Sequence, residues 1–154
     1  MPLEPGDKAP DFTLLDQHGE TVKLSTLVKE RKAKTLIYFY PKADTPGCTT
    51  QACGLRDIGG EIGDTVVLGI SPDQPEKQAK FDAKYSLGFP LLSDPDHAVA
   101  EAYGAWGERS MYGRKYMGII RSAYLVDEKG TIAEAWPKIS PKDTPAKLKA
   151  ALGV

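Results

Sequence analysis

The chain carries two cysteines, Cys48 and Cys53, with four residues between them. They lie in the stretch Tyr40-Pro41-Lys42-Ala43-Asp44-Thr45-Pro46-Gly47-Cys48-Thr49-Thr50-Gln51-Ala52-Cys53. Sulfur attacks as the thiolate, so the first question is what would ionise it. Thr45 reads as a helix N-cap and Pro46 as the first helical position, where a missing N–H costs nothing. Cys48 then falls in the first turn. Unpaired backbone N–H groups and the positive end of the helix dipole favour its thiolate there. The blander reading, a small buried apolar residue, is a common fate of a free cysteine. It fits less well beside Pro46 and Gly47 in a helix-start turn.

On one regular helix the five-residue step separates the two Cα atoms by about 8–9 Å and turns them to different sides. A disulfide tolerates about 6.8 Å. Either the pair never closes, or closure unwinds the helix locally, and Gly47 and Gly54 weaken the segment that would have to open. We therefore expect a redox switch, folded when reduced and locally opened when oxidised. The spacing is wider than the C-x-x-C of disulfide exchangers. It leaves room for a first step in which a small oxidant converts the thiolate to sulfenic acid and the second thiol condenses with it. A metal is not expected, because a zinc site wants four ligands and His18 and His97 show no ligand spacing.

The elements that would position this segment alternate along the chain. Residues 12–24 read as two short strands around a turn at Asp16–Glu20, and Ser25 as the cap of a short helix through Glu30. Thr35 to Tyr40 (TLIYFY) is an apolar, β-branched and aromatic run closed by Pro41, which predicts a buried central strand. A helix follows the turn at Asp44-Thr45-Pro46-Gly47 and is interrupted at Gly59-Gly60, and Thr65 to Ser71 is a second buried strand. Pro75 to Tyr85 is a helix pattern and Pro90-Leu91-Leu92 a short extended piece. Asp94 or Asp96 caps a helix through Tyr103. Residues 104–118, rich in glycine and aromatics, read as an irregular connection, with a pocket wall or docking surface as the sharper alternative. Ser122 to Asp127 and Thr131 to Trp136 read as a hairpin. Pro145 to Leu152 closes the chain as a helix capped by Asp143 or Thr144. The order implies a mixed sheet covered by helices, in one domain over residues 1–154.

Composition excludes several classes. Of 154 residues, 20 are basic and 21 acidic, so the net charge of -1 gives no broad field for nucleic acid. The N-terminus has neither a basic start nor an apolar core, so it does not read as a secretory signal. No window approaches 18 consecutive apolar residues, so no membrane span is expected. The expected setting is cytoplasmic, where a close cysteine pair is redox-active more often than structural.

Pro41-x-x-x-Thr45-x-x-Cys48 resembles the P-x-x-x-[TS]-x-x-C signature of the peroxiredoxins. The TPGCTTQAC context is similar to the bacterioferritin comigratory protein branch, also called PrxQ. The likeness extends through residues 5–12, Ser71-Pro72-Asp73, residues 89–94 and Tyr112-Gly113 to Arg121-Ser122. The resemblance implies a thioredoxin-like α/β fold: a central mixed sheet flanked by helices, with an N-terminal β-hairpin extension. It implies a thiol peroxidase reducing hydrogen peroxide and organic hydroperoxides without a cofactor. Cys48 would be the peroxidatic cysteine and Cys53 the resolving cysteine of the same subunit. Thr45 would hydrogen-bond the thiolate and the peroxide, Pro41 would shield the sulfur, and Arg121 would stabilise the thiolate and the departing oxygen. Recycling would come from thioredoxin or a glutaredoxin-like dithiol protein, and a monomer suffices for resolution. Arg56 is too far along the helix to replace Arg121. Gln51 stands where many relatives carry Glu, which leaves open how Arg121 is oriented. Two other classes remain at this point: a protein disulfide exchanger, and a redox sensor that responds to peroxide only stoichiometrically.

Overall fold

The computed structural model describes residues 3–154. In chain order the elements are β1 (Thr13–Leu15), β2 (Thr21–Lys23), α1 (Leu24–Arg31), β3 (Thr35–Phe39), α2 (Pro46–Asp57), β4 (Val66–Ser71) and α3 (Pro75–Tyr85). Then come β5 (Leu91–Ser93), α4 (Ala98–Ala102), β6 (Trp106–Met111), β7 (Arg114–Ile119), β8 (Ser122–Val126), β9 (Ile132–Trp136), a 3-10 turn (Pro141–Asp143) and α5 (Thr144–Leu152).

Seven strands form one sheet in the order β2-β1-β5-β4-β3-β8-β9. Its centre is parallel, β3 with β4 and β4 with β5, while β8 and β9 continue it antiparallel. All of β3 is buried, which is why its sequence shows a continuous apolar run rather than alternation. The period of two decides which layer each residue enters. Ile37 and Phe39 join a core with Leu24 and Val28 of α1 and Val99 and Ala100 of α4. Leu36, Tyr38 and Tyr40 join the opposite core with Cys48, Ala52 and Leu55 of α2, Phe81 of α3 and Leu148 of α5. The β1–β2 hairpin extends the sheet through the pairing of Leu15 with Ser93. The expected mixed sheet, flanking helices and N-terminal hairpin are thus all present. Among the described residues no helix is long and apolar enough to cross a membrane.

Several local expectations change. Residues 106–119 are not irregular: β6 and β7 pair antiparallel in a separate ribbon. Most of the ribbon is exposed, so neither face carries the apolar alternation that reveals a half-buried strand. Its turn, Tyr112-Gly113, has positive φ at both residues, 52° and 77°, the twist that a two-residue hairpin needs. Tyrosine is not the residue that usually signals it. Ser25 lies inside α1 rather than capping it, and the Asp11 carboxylate accepts from both its N–H (2.8 Å) and its hydroxyl (2.9 Å). At α4 it is Asp94 that accepts from the N–H groups of Val99 and Ala100, at 3.2 and 2.9 Å. Thr144 opens α5 with its side chain turned into the core.

Candidate active site

Pro46 and Gly47 open α2, so Cys48 is its third residue. Thr45 has the extended backbone of an N-cap, φ -101° and ψ 159°, and its carbonyl accepts from Thr49 N–H at 2.8 Å. Its side chain does not cap the helix. The hydroxyl instead donates to the Lys42 carbonyl at 2.8 Å, and its oxygen keeps acceptor capacity. The loop before it is tied down from two sides. Asp73 Oδ2 accepts from Ala43 N–H and from the Ser71 hydroxyl, both at 2.7 Å. Asp44, at φ 59°, receives Lys84 Nζ and the Tyr85 hydroxyl at 3.0 Å each. The hydrogen bond from Lys84, then that from Tyr85, holds the Asp44 carboxyl below the usual aspartate value. Tyr40 donates to Gln78 Oε1, and Gln78 Nε2 donates back to Ser71 Oγ and to the Leu92 carbonyl, at 2.9 Å each.

The antiparallel register explains where Arg121 arrives. Phe39, the last residue of β3, pairs with Ser122, the first of β8. The residue just before β8 therefore stands at the same sheet end as the loop that follows β3. From there Arg121 Nη2 reaches Cys48 Sγ at 3.4 Å. Cys48 is 1% exposed. Arg121 Nη1 donates to Gln51 Oε1 at 2.7 Å. The Gln51 amide is wholly buried, and its Nε2 donates to Thr144 Oγ1 at 2.9 Å. Thr144 in turn donates to the Ser140 carbonyl at 2.9 Å. An amide thus does the holding that a carboxylate would do. Among the described residues Arg121 makes no ion pair, so no carboxylate partner competes with the sulfur for its charge. Gly47 makes the approach possible: a Cβ there would lie 3.2 Å from Arg121 Nη2 and 3.4 Å from Pro141 Cγ.

Cys53 is on the same unbroken helix, half-buried, and both cysteines are free thiols. The expectation that they do not bridge while this helix is intact agrees with that arrangement. Pro41 is half-buried directly after β3 and Tyr40. Arg56 stays at the far end of α2, on Asp57 (2.9 Å) and the Tyr85 carbonyl (2.6 Å). Behind the sulfur, burial pushes the Tyr38 phenol well above its ordinary value, with Tyr40 and Cys48 adding to the shift and Arg121 opposing it. The wall is therefore neutral. On the other side of Arg121 opens a cleft of about 510 Å³, lined by Arg109 of β6, Ile120, Lys138 and Ile139. The ribbon lines this cleft beside the arginine through Glu108, Arg109 and Ser110, and Cys48 is not among the lining residues. Among the described residues no cluster of three metal-ligating side chains occurs.

Of the five residues singled out by sequence, Arg121 meets Cys48 at the start of α2 and Pro41 and Thr45 lie in the loop just before it, while Cys53 stands five residues further along the helix. Thr144 and Ser140 were not foreseen: they lie about ninety residues from Gln51, with no local pattern to mark them. Asp73 belonged to the Ser71-Pro72-Asp73 stretch, which carried the signal without its role.

The profile of the AhpC/TSA family matches residues 5–135. Peroxiredoxin Bcp of Escherichia coli is 53% identical over 133 residues, 85% of this chain and 83% of that one. A mutant of Xanthomonas campestris Peroxiredoxin Q superposes with a TM-score of 0.88 at 31% identity, covering 98% of both chains. The Xanthomonas campestris bacterioferritin comigratory protein was solved as a trapped intermediate and ligand complex, for insight into its alkyl peroxide reduction activity. It superposes with a TM-score of 0.85 at 30% identity, over 99% of this chain and 96% of that one.

Proposed function

Because the chain belongs to the AhpC/TSA family, as a thiol peroxidase of the Bcp/PrxQ type, we propose that Cys48 is its peroxidatic and Cys53 its resolving cysteine. The proposed substrates are hydrogen peroxide and organic hydroperoxides, the latter supported by the alkyl peroxide reduction activity of the Xanthomonas campestris relative. The observation that carries this reading is the guanidinium of Arg121 at 3.4 Å from a buried sulfur in the first turn of a helix.

The Cys48 thiolate attacks one peroxide oxygen and the O–O bond breaks heterolytically. That oxygen stays on sulfur as sulfenic acid, and the other leaves with a proton as alcohol or water. Negative charge grows on the departing oxygen, where the Arg121 guanidinium and the free N–H groups at the start of α2 are preorganised donors. The Thr45 hydroxyl, whose hydrogen is engaged by the Lys42 carbonyl, presents a lone pair that orients the peroxide O–H. Pro41 limits water at the sulfur. Cys53 then attacks the Cys48 sulfur, water leaves, and a disulfide forms within the chain once α2 has opened. A dithiol protein such as thioredoxin or glutaredoxin supplies two electrons and two protons to restore both thiols. No second chain is needed for resolution, so a monomer with one domain over residues 1–154 can complete the cycle. A cytoplasmic setting would keep the donor reduced.

The deciding experiment is peroxide consumption driven by a thioredoxin system. Cys48→Ser should be inactive. Cys53→Ser should form sulfenic acid once and turn over poorly. Peroxide turnover retained by Cys48→Ser would overturn the assignment. Disulfide exchange without peroxide loss, or one stoichiometric burst from wild type, would favour the exchanger or sensor classes.

A further inference from the structure

The C-terminal segment touches α2 at three points on one side. Pro141 lies against Gly47, Thr144 bonds Gln51, and Pro145 lies so close to Gly54 that a Cβ there would be 2.7 Å from its Cγ. Positions 47, 51 and 54 are spaced by four and three, one face of a helix. Two of the contacts are apolar and close, and the middle one is a directional hydrogen bond.

We propose that Thr144 is a positioning residue for the peroxide step, holding the Gln51 amide so that Gln51 Oε1 keeps Arg121 against the Cys48 sulfur. The proposal rests on the thiol-peroxidase reading. The polarity of the chain of bonds is fixed from both ends. The one hydroxyl proton of Thr144 goes to the Ser140 carbonyl, so toward Gln51 its oxygen can only accept. A guanidinium can only donate. Gln51 must therefore turn its NH2 to Thr144 and its carbonyl to Arg121, as it does at 2.9 and 2.7 Å. Both Gln51 and Thr144 are closed to solvent, at 0% and 1% exposure, so water cannot replace either partner.

Removing the hydroxyl alone leaves the buried Gln51 N–H groups without Thr144, while freeing the Ser140 carbonyl just beyond it. An amide drawn toward that carbonyl withdraws Oε1 from Arg121, and the guanidinium loses its fixed place beside the sulfur. The first effect is on reaction at Cys48, reached through two intervening side chains.

The test uses full-length protein in a Cys53→Ser background, so that only Cys48 reports. Two quantities are read: the single-turnover rate with peroxide, and the pH profile of iodoacetamide alkylation. Thr144→Val should slow the peroxide step by about tenfold and displace the alkylation profile to higher pH. Thr144→Ser should restore both. Parental values in Thr144→Val, or a serine variant as impaired as the valine, would overturn the relay. Gln51→Met and Gln51→Met/Thr144→Val keep the test open if Thr144→Val folds poorly, since the double variant removes both polar groups together. The relay predicts equal behaviour of these two, and a further loss in the double variant overturns it. If the parent consumed no peroxide, the peroxidase reading would fail, whereas the alkylation profiles would still decide the relay.

Discussion

Closing Cys48 onto Cys53 requires breaking the helix that holds both, and the cost of doing so sets how easily the disulfide is reduced. Helix formation in water is itself close to neutral, so the cost lies in the tertiary contacts that go with the turn. A hydrogen bond from a charged group to sulfur, as from Arg121 to Cys48, contributes about 1.5–3 kcal/mol. The Arg121–Gln51 and Gln51–Thr144 bonds contribute about 1 kcal/mol each. Taking the buried side chains of Cys48 and Ala52 out of the core costs about 1 kcal/mol each. The reduced form is thereby favoured by about 6 kcal/mol over one with no such helix. At about 30 mV per 1.4 kcal/mol, that raises the potential by roughly 130 mV from the −300 mV of a stable structural disulfide, to about −170 mV. Thioredoxin, near −270 mV, would then reduce it downhill. Equilibration against glutathione buffers, with the free thiols trapped and counted by mass, measures the value. Amide exchange supplies the structural half: residues 46–54 should lose protection on oxidation while α3 keeps its own. A potential at or below −300 mV, or equal protection of residues 46–54 in both forms, would refute the reasoning.

Two further outcomes follow from the same geometry. Gly47→Ala puts a Cβ 3.2 Å from Arg121 Nη2, so the guanidinium must retreat by a few tenths of an ångström, which should slow the peroxide step by about three- to fivefold. Helix propensity gains by up to about 1 kcal/mol, so the melting temperature should hold or rise, and full activity in the variant would refute the steric argument. Asp44, with its carboxyl lowered first by Lys84 and then by Tyr85, binds its proton less readily folded than unfolded. Its contribution to stability is therefore complete above the unfolded value and is lost as pH falls through the lowered folded one. Carboxyl NMR should show Asp44 titrating below an ordinary aspartate in wild type and returning toward it in Lys84→Met; an ordinary wild-type titration would contradict the pairing.

How much of this was legible in the sequence depends on how far apart the partners are. Thr35 to Tyr40 announced a central strand because both faces of β3 are buried and the run after Thr35 is apolar and aromatic throughout. Pro46 announced the start of α2 because one residue's missing N–H suffices. The ribbon of β6 and β7 gave no such sign, since its exposed faces impose no alternation and a tyrosine occupies its turn. Thr45 shows the limit of a local rule: its backbone is that of a cap, yet its hydroxyl found the Lys42 carbonyl three residues back. Arg121 could be named from resemblance, but its placement depends on the pairing of Phe39 with Ser122, a register between segments more than eighty residues apart. The question raised by an amide at position 51 has the same character. Gln51 needs a donor on one side and an acceptor on the other, and the chain supplies them from the residue before β8 and from α5. A carboxylate there would hold Arg121 and share its charge, whereas the amide holds it and leaves that charge to the sulfur. The proposed nucleophile is thus written in one short segment, while its surroundings depend on hydrogen bonds that exist only after three distant segments have packed together.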